Sequence, residues 1–366
     1  MSIVKKIKLL IITPSLQCGG SEKFVSMVCN HINTRLFSVC LVVVNNFKQF
    51  CNIENADIII VDLKKNRVLF SLPAIKKAVS NFEPDIIFST ANHLNLYLAI
   101  FKNRFKTGIH FIAREASIVS INSRQAKMPV IYNWLIKKYY KRFDHIICQS
   151  VYMQQDLVKH YQIKEDKTTV IYNAVQEMPI QNNKTKNTSV DRIYKFITVA
   201  RLSKEKGIER LIHALGLLSV PYQYFIIGDG NMRSELQQLI NELQLQQKVF
   251  LLGEKSDPFA GMEDADLFLI GSYYEGFPNV LLEAGAHGVP AIAFNVPGGI
   301  AEIITAGENG LLVADNDIIA FAATIKKGLA INFDSNKIIE TTKKRFSINK
   351  MIPAIENLFL KRSENK

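Results

Sequence analysis

At 366 residues, with 48% hydrophobic and 21% charged residues, the chain is too long for one ordinary domain and too apolar for wholesale disorder, so two packed cores are expected. Lys and Arg (45) exceed Asp and Glu (33), and the net charge of +12 sits in the first half: residues 1–175 hold 24 basic and 11 acidic side chains, the rest 21 and 22. The five scattered cysteines (Cys18, Cys29, Cys40, Cys51, Cys148) include no CxxC pair, which excludes a zinc ribbon or a disulfide scaffold and suits a reducing compartment.

The chain opens basic and then apolar. The apolar stretch Ile7–Ile12 is short, runs into Thr13-Pro14 and lacks a small-residue cleavage site, so it reads as a buried first strand rather than a signal peptide. No apolar run approaches the roughly 20 residues that span a bilayer, and an integral membrane protein is not expected. Gly19-Gly20-Ser21-Glu22 follows this strand and opens a helix. The glycine pair lets backbone approach a phosphate, but it is neither a GxGxxG fingerprint nor a P-loop.

Further β-branched runs at Ser38–Val44, Ile58–Val61, Ile86–Ser89, Ile109–Ala113, His145–Gln149 and Thr169–Ile171 alternate with helical stretches. Strands apolar on both faces and separated by helices predict a parallel, doubly wound sheet. His93 stands beside a strand end, where it is either a base on the acceptor side or a packed or exposed histidine. Met128–Phe143 reads as a helix with Ile131, Trp134, Leu135 and Tyr139 on one stripe and Lys137, Lys138, Lys141 and Arg142 around it. Two readings are open for it: a helix docking on anionic lipid, or a core-packed helix with a basic outer face.

Polar residues 177–191 break the pattern and predict a linker over 176–193, between a first domain at 1–175 and a second at 194–345. The second domain repeats the alternation, with strands at Tyr194–Ala200, Gln223–Ile227, Val249–Leu252, Leu267–Ile270, Ala291–Phe294 and Leu311–Val313. Helices are expected at 206–219, 231–244, 279–287, 299–306 and 316–330, and a helical tail from 335. The fold class is therefore α/β: two tandem Rossmann-like domains facing a cleft, with ligands at the carboxyl ends of the strands.

The chemistry concentrates in this second half. Arg201 and Lys206 flank a loop after the first strand, and a planar fork and a point charge both suit phosphate. Gly228-Asp229-Gly230 predicts a strand–turn–helix junction with Asp229 as helix cap. Asp264-Ala265-Asp266 copies a DxD metal motif but precedes its strand instead of ending it, so no metal role is expected. In Glu275-Gly276-Phe277-Pro278-Asn279-Val280-Leu281-Leu282-Glu283, Gly276 is expected to make an unusual turn and Pro278 to open a helix. The free N–H groups and positive dipole end of that helix suit a diphosphate, and Glu283 suits ribose hydroxyls. Pro297-Gly298-Gly299 forms another glycine-rich turn, after which Glu302 either faces a sugar or caps a surface.

Taken together, these motifs resemble the retaining family-4 glycosyltransferases of the GT-B fold, of the bacterial cell-surface polysaccharide type. The resemblance runs through Gly19-Gly20, Tyr172-Asn173-Ala174-Val175, Arg201 and Lys206, Gly228-Asp229-Gly230, the Glu275/Glu283 pair and Pro297-Gly298-Gly299. It implies that Arg201 and Lys206 bind the donor diphosphate, Glu283 the ribose and Glu275 the transferred sugar. It also implies that Gly19 and Gly20 close on the phosphates, with Gly276, Phe277, Pro278, Asn279 and Val280 in the donor site. It further implies retention of configuration, no essential metal or other cofactor, and a final helix over 346–366 returning to the first domain. The sequence departs from the family after the strand at Ile109–Ala113, where many members carry a His. Here it reads Ala113-Arg114-Glu115-Ala116-Ser117, and either Arg114 or Glu115 takes that position.

The expected activity is transfer of a hexose or N-acetylhexosamine from a nucleoside diphosphate sugar, UDP before GDP, to a glycan or lipid-linked acceptor in polysaccharide or glycolipid assembly. Localisation is expected to be cytoplasmic, with the basic first half facing an anionic membrane; nucleic acid is not an expected partner. A sugar-nucleotide epimerase on the same fold, and a basic binding protein without catalysis, are the competing readings.

Overall fold

The computed structural model describes residues 5–17, 19–47, 51–175, 192–260 and 264–363. The expected linker lies outside the described residues except for its two last positions, and Cys18 lies outside them as well. By contacts the chain divides into two compact units, Met1–Ala174 with Ile348–Lys366, and Val175–Ser347.

In the first unit the elements run β1 (Ile7–Thr13), α1 (Gly20–His31), β2 (Phe37–Val43), β3 (Ile59–Asp62), α2 (Leu72–Phe82), β4 (Ile86–Thr90), α3 (Asn92–Phe101) and β5 (His110–Arg114). They continue with α4 (Val119–Gln125), α5 (Pro129–Tyr139), β6 (His145–Cys148), α6 (Val151–Tyr161) and β7 (Thr168–Val170). Every strand pairing is parallel, in the order β3-β2-β1-β4-β5-β6-β7. β4 is buried along its whole length and β1 from Leu9 onward, with Leu9 through Ile12 fully buried, because helices cover both faces of a parallel sheet.

The second unit holds β8 (Tyr194–Val199), α7 (Ile208–Gly216), β9 (Tyr222–Ile227), α8 (Arg233–Glu242), β10 (Val249–Gly253), β11 (Leu267–Ile270) and α9 (Asn279–Ala286). After these come β12 (Ala291–Asn295), α10 (Ile300–Ile303), β13 (Gly310–Ala314), α11 (Ile318–Ala330) and α12 (Ser335–Arg345). Its parallel sheet has the order β10-β9-β8-β11-β12-β13. The last helix, α13 (Ile348–Ser363), belongs to the first unit. Its Phe359 ring stands 6.1 Å from Phe37 and 5.4 Å from Phe88, and its Glu356 accepts the Asn33 N–H at 2.7 Å.

Each predicted strand lies within one residue of an observed one. The helices differ more. The 299–306 helix is only one turn, because Ile304 is extended and Asn309 takes over the Thr305 N–H through its side chain. The helix expected from 206 begins at Ile208, after a 3-10 turn at Lys204–Lys206 and a left-handed Gly207. The tail is two helices rather than one, with Phe346 and Ser347 between them: Phe346 N bonds Thr342 O and Ser347 bridges Val175.

In both sheets the winding direction reverses once, between β1 and β4 and between β8 and β11. Loops leaving the carboxyl ends of such a strand pair diverge to opposite faces and leave a crevice where ligands bind. That topology selects four loops for scrutiny: β1–α1 and β4–α3 in the first unit, β8–α7 and β11–α9 in the second.

Candidate active site

In the second unit the two switch-point loops lie backbone to backbone. A Cβ on Gly207 (φ +55°) would come 2.0 Å from Gly271 O, so only glycine at that left-handed position lets the loops approach this closely. The approach brings Lys206 Nζ to 2.7 Å from Glu275 Oε1, and Ser272 Oγ donates to the same oxygen at 2.6 Å. Both charged side chains are largely enclosed, at 24% and 12% exposure, so their attraction is only partly screened. Arg201 is different: at 71% exposure it reaches outward, bonded to Glu205 at 2.8 Å. Sequence spacing alone could not have separated a seated lysine from a projecting arginine 69 and 74 residues before Glu275.

Glu275 is also fastened through its backbone. Its N–H donates to Pro297 O at 3.0 Å, and its carbonyl accepts from Gly299 N at 3.1 Å. The left-handed glycine at this junction is Gly298 (φ +124°), whose Cβ would fall 1.5 Å from Glu275 O; Gly276 is not among the positive-φ glycines. The expected unusual turn is therefore made across the contact, by the Pro297-Gly298-Gly299 segment. Pro278 is extended (φ −73°, ψ 108°) and stands just before α9 rather than inside it, and no side chain caps that helix. With no side chain capping it, this helix N-terminus presents the positive end of its dipole to an anion. Asn279, Val280 and Glu283 are half-buried along it, while Gly276 and Pro278 are buried beneath. Phe277 turns inward: its ring packs 5.6 Å from Phe346, so it anchors the loop to the core rather than offering a contact surface.

One residue beneath the site escaped the sequence reading. Arg210, 3% exposed, donates through Nε to Gly271 O at 2.5 Å and through Nη2 to Ser272 O, and pairs through Nη1 with Asp315 at 2.7 Å. Its guanidinium lies 4.2 Å from the Tyr273 ring centroid and 3.9 Å from that of Phe294. A planar fork sandwiched by aromatic faces is a rigid clamp, and this one holds the loop that carries Glu275. The available signal was an arginine on the otherwise apolar face of α7, between Ile208 and Leu211.

The remaining motif residues are placed as well, with one correction. Asp229 does not cap α8, whose N-cap is Met232; it accepts from Gly230 N at 2.7 Å, and its carbonyl accepts from Leu202 N, bracing the Arg201 loop. Asp266 is buried against Arg192 and accepts Lys195 N–H at 2.9 Å, while Asp264 pairs with Lys195 Nζ, which accounts for both acids structurally. Glu302 is half-buried, and its carbonyl accepts from Arg345. Among the described residues no group of three or more His, Cys, Asp or Glu side chains is arranged to hold a metal ion.

In the first unit, the β1–α1 loop places Gly19 in extended backbone at the start of α1, with Glu22 folded over it: a Cβ there would meet Glu22 Oε2 at 2.3 Å. Burial raises the Glu22 pKa against an opposing backbone bond and Ser15. Gly20 is exposed as the first helical residue. The β4–α3 loop contains Ala91 at φ +79°, a strained conformation for a residue with a Cβ. It sets His93 on the rim of a cavity of about 460 Å³ lined also by Asn45, Lys65, Arg67 and Tyr97. His93 reaches solvent, yet the protein around it lowers its pKa by desolvation.

Arg114 and Glu115 lie below this surface. Both are fully buried, which puts an acceptor hydroxyl out of their reach. Glu115 Oε1 accepts from Asn95 at 2.8 Å, and Arg114 donates to Asn173 at 2.5 Å with its guanidinium 3.7 Å from the Phe24 ring centroid. Burial raises the Glu115 pKa to about 7 and lowers that of Arg114 to about 9. They tie the carboxyl end of β5 to its neighbours.

Comparison with known proteins bears on both units. Residues 179–345 match the family model for "Glycosyl transferases group 1", and residues 18–177 match that for "Glycosyltransferase Family 4". The chain is 29% identical over 349 residues to N-acetylgalactosamine-N,N'-diacetylbacillosaminyl-diphospho-undecaprenol 4-alpha-N-acetylgalactosaminyltransferase of Campylobacter jejuni, covering 92% of this chain and 93% of that one. Among solved structures, sucrose-phosphate synthase of Thermosynechococcus elongatus superposes with a TM-score of 0.83 at 18% identity, over 99% of this chain and 100% of that one. Anabaena HepE in complex with UDP-glucose does so with a TM-score of 0.76 at 21% identity, over 97% and 100%.

Proposed function

Since the chain belongs to the family-4 glycosyltransferases of the GT-B fold and is a glycosyltransferase of polysaccharide or glycolipid biosynthesis, we propose that it moves a hexose or N-acetylhexosamine from a UDP-sugar, with retention of configuration, to a polyprenyl-diphosphate-linked glycan. The observation that carries the donor half is the Lys206–Glu275 pair beside the uncapped N-terminus of α9, across the reversal point of the second sheet. A diphosphate arriving at the helix terminus competes for Lys206, which frees Glu275 to accept hydroxyls of the sugar. Arg201 folds in from solvent as a second cation, and Glu283, about one turn into α9 and eight residues beyond Glu275, takes the ribose.

In the transfer, the bond from the anomeric carbon to the diphosphate oxygen breaks and the diphosphate leaves with the electron pair. The acceptor oxygen bonds the anomeric carbon and gives its proton to the departing diphosphate oxygen. Charge growing on the diphosphate is met by Lys206, Arg201 and the helix amides, whose attraction strengthens as that charge develops. The reading requires no metal, so chelation with EDTA is expected to leave turnover unchanged. On the acceptor side, the cavity bearing Lys65, Arg67 and His93 suits an anionic acceptor, two cations lying beside one ring able to take a proton. The polyprenyl-linked acceptor rests on the name of the Campylobacter relative and on these cations; UDP rests on the donor in the HepE structure. Such an acceptor puts the work at the inner face of the cytoplasmic membrane.

The test is turnover with labelled UDP- and GDP-sugars and a diphosphate-linked acceptor, comparing the native chain with Lys206→Met and Glu275→Gln. Each substitution is expected to lower kcat by about 10²–10³. The anomeric proton coupling of the product reports retention. Donor conversion without acceptor would indicate an epimerase, and unchanged turnover in Lys206→Met would sink the site assignment.

A further inference from the structure

Four strands stand at the edges of the two sheets: β3 and β7 in the first unit, β10 and β13 in the second. Among the described residues, β7 and β13 carry no exposed large apolar side chain, and β10 only Leu252. β3 differs, with Ile59 52% and Ile60 45% exposed. Neighbouring side chains of a strand point to opposite faces, so this rim is apolar above and below. Its backbone is open as well. Leu63 N–H donates to Val43 O at 2.8 Å, and backbone groups alternate along a strand. Ile59 and Val61 therefore face β2 too, while the N–H and C=O of Ile60 and Asp62 point to the free side. An apolar edge of this kind is a template for another strand.

The charges around the edge select that strand. Residues 1–175 hold 24 basic and 11 acidic side chains, but 51–63 holds three acids (Glu54, Asp57, Asp62) and no base, and Lys64, Lys65 and Arg67 follow directly. All six are exposed. Two copies of so basic a unit repel each other in general, whereas a patch whose charges cancel removes that cost. The order of the charges also sets the direction. Antiparallel pairing lays the acidic start of each strand by the basic end of the other; parallel pairing would lay like on like. We infer that β3 is a homodimer interface, two copies pairing antiparallel about a two-fold axis at Ile60 and joining their seven-stranded sheets edge to edge. Each Ile60 exchanges N–H···O bonds with its counterpart, and each Lys64 lies beside the partner's Asp57. One strand per copy makes a small interface, so the dimer is weak and concentration-dependent.

Sedimentation velocity of the full chain over a concentration series is expected to show a monomer–dimer equilibrium. Ile60→Pro removes the outward N–H and leaves the side turned to β2 untouched, so it should give a monomer with native turnover. Antiparallel register puts the two Ile60 Cα atoms about 5.5 Å apart, within disulfide reach, and Ile60→Cys should be locked as a dimer by oxidation. Lys64→Cys should not, its counterpart lying about 27 Å away along the strands. Asp57→Lys or Lys64→Asp alone turns two symmetry-related attractions into repulsions and should weaken dimerisation about tenfold, and the two together should restore it. The cysteine and charge variants decide the matter even where the proline variant does not fold, and Lys65 and Arg67 of the acceptor-side cavity are left unaltered throughout. A single monomeric species at every concentration overturns the inference. So does a dimer that folded Ile60→Pro leaves intact, that Lys64→Cys locks as readily as Ile60→Cys, or that the double charge swap fails to recover.

Discussion

Arg210→Ala tests whether the clamp beneath the site positions Glu275. The side chain donates to Gly271 O and Ser272 O, both in buried residues, and to Asp315. Truncation leaves two carbonyls without donors, each costing about 1–3 kcal/mol. It also removes the cation between the Tyr273 and Phe294 rings, about 1 kcal/mol more. Asp315 is 36% exposed on its side chain and rehydrates, so nothing is added for it. The sum is about 3–7 kcal/mol, which for a unit of this size lowers Tm by on the order of 10 °C or more. Calorimetry of the full chain measures it, and hydrogen exchange should place the lost protection in peptides from residues 194–345. Turnover should fall as well, because Ser272 and Glu275 lose their mounting. Arg210→Lys keeps a charge near Asp315 but not the fork, and should recover less than half of the loss. A Tm shift below about 3 °C with unaltered turnover would refute the clamp.

Two further outcomes follow from the geometry. Gly298→Ala drives a Cβ to 1.5 Å from Glu275 O at φ +124°, and should cost more than about 2 kcal/mol together with most of the turnover; Gly253→Ala, at φ +76° with open space around it, should cost only about 1 kcal/mol and leave turnover intact. The first unit contains two opposed titrations. Burial raises Glu115 to about 7, so its folded form holds a proton that the unfolded chain has released, and stability gained from this falls as pH rises from 4.5 to 7. Burial, then Arg362, lowers His145 to about 4, so stability falls as pH drops from 6.5 to 4. Glu115→Gln should therefore make the first unit lose stability steadily with acid, and His145→Gln should make it gain; thermal unfolding between pH 4.5 and 6.5 reads both slopes.

The sequence by itself determined the strands and their grouping. β-branched runs apolar on both faces have few alternatives to a helix-covered parallel sheet, and every strand fell within a residue of its expected place. It also placed Lys206, Glu275 and the α9 terminus at the carboxyl ends of strands, because those positions follow from where strands end; that the two loops adjoin came from the β8–β11 pairing. Helix bounds were less legible: a capping side chain or a left-handed glycine decides them, as Asn309 does after α10 and Gly207 before α7. What only the tertiary structure decided was side-chain direction. Arg201 and Lys206 look alike in sequence, yet one projects and the other is seated on Glu275. Arg114 and Glu115 read as acceptor groups but are sealed beneath the surface, while the α5 stripe, which reads as core or interface, turns its first apolar turns to solvent. Backbone pattern is set by local sterics and periodicity; which way a charge or a tryptophan faces depends on neighbours far along the chain.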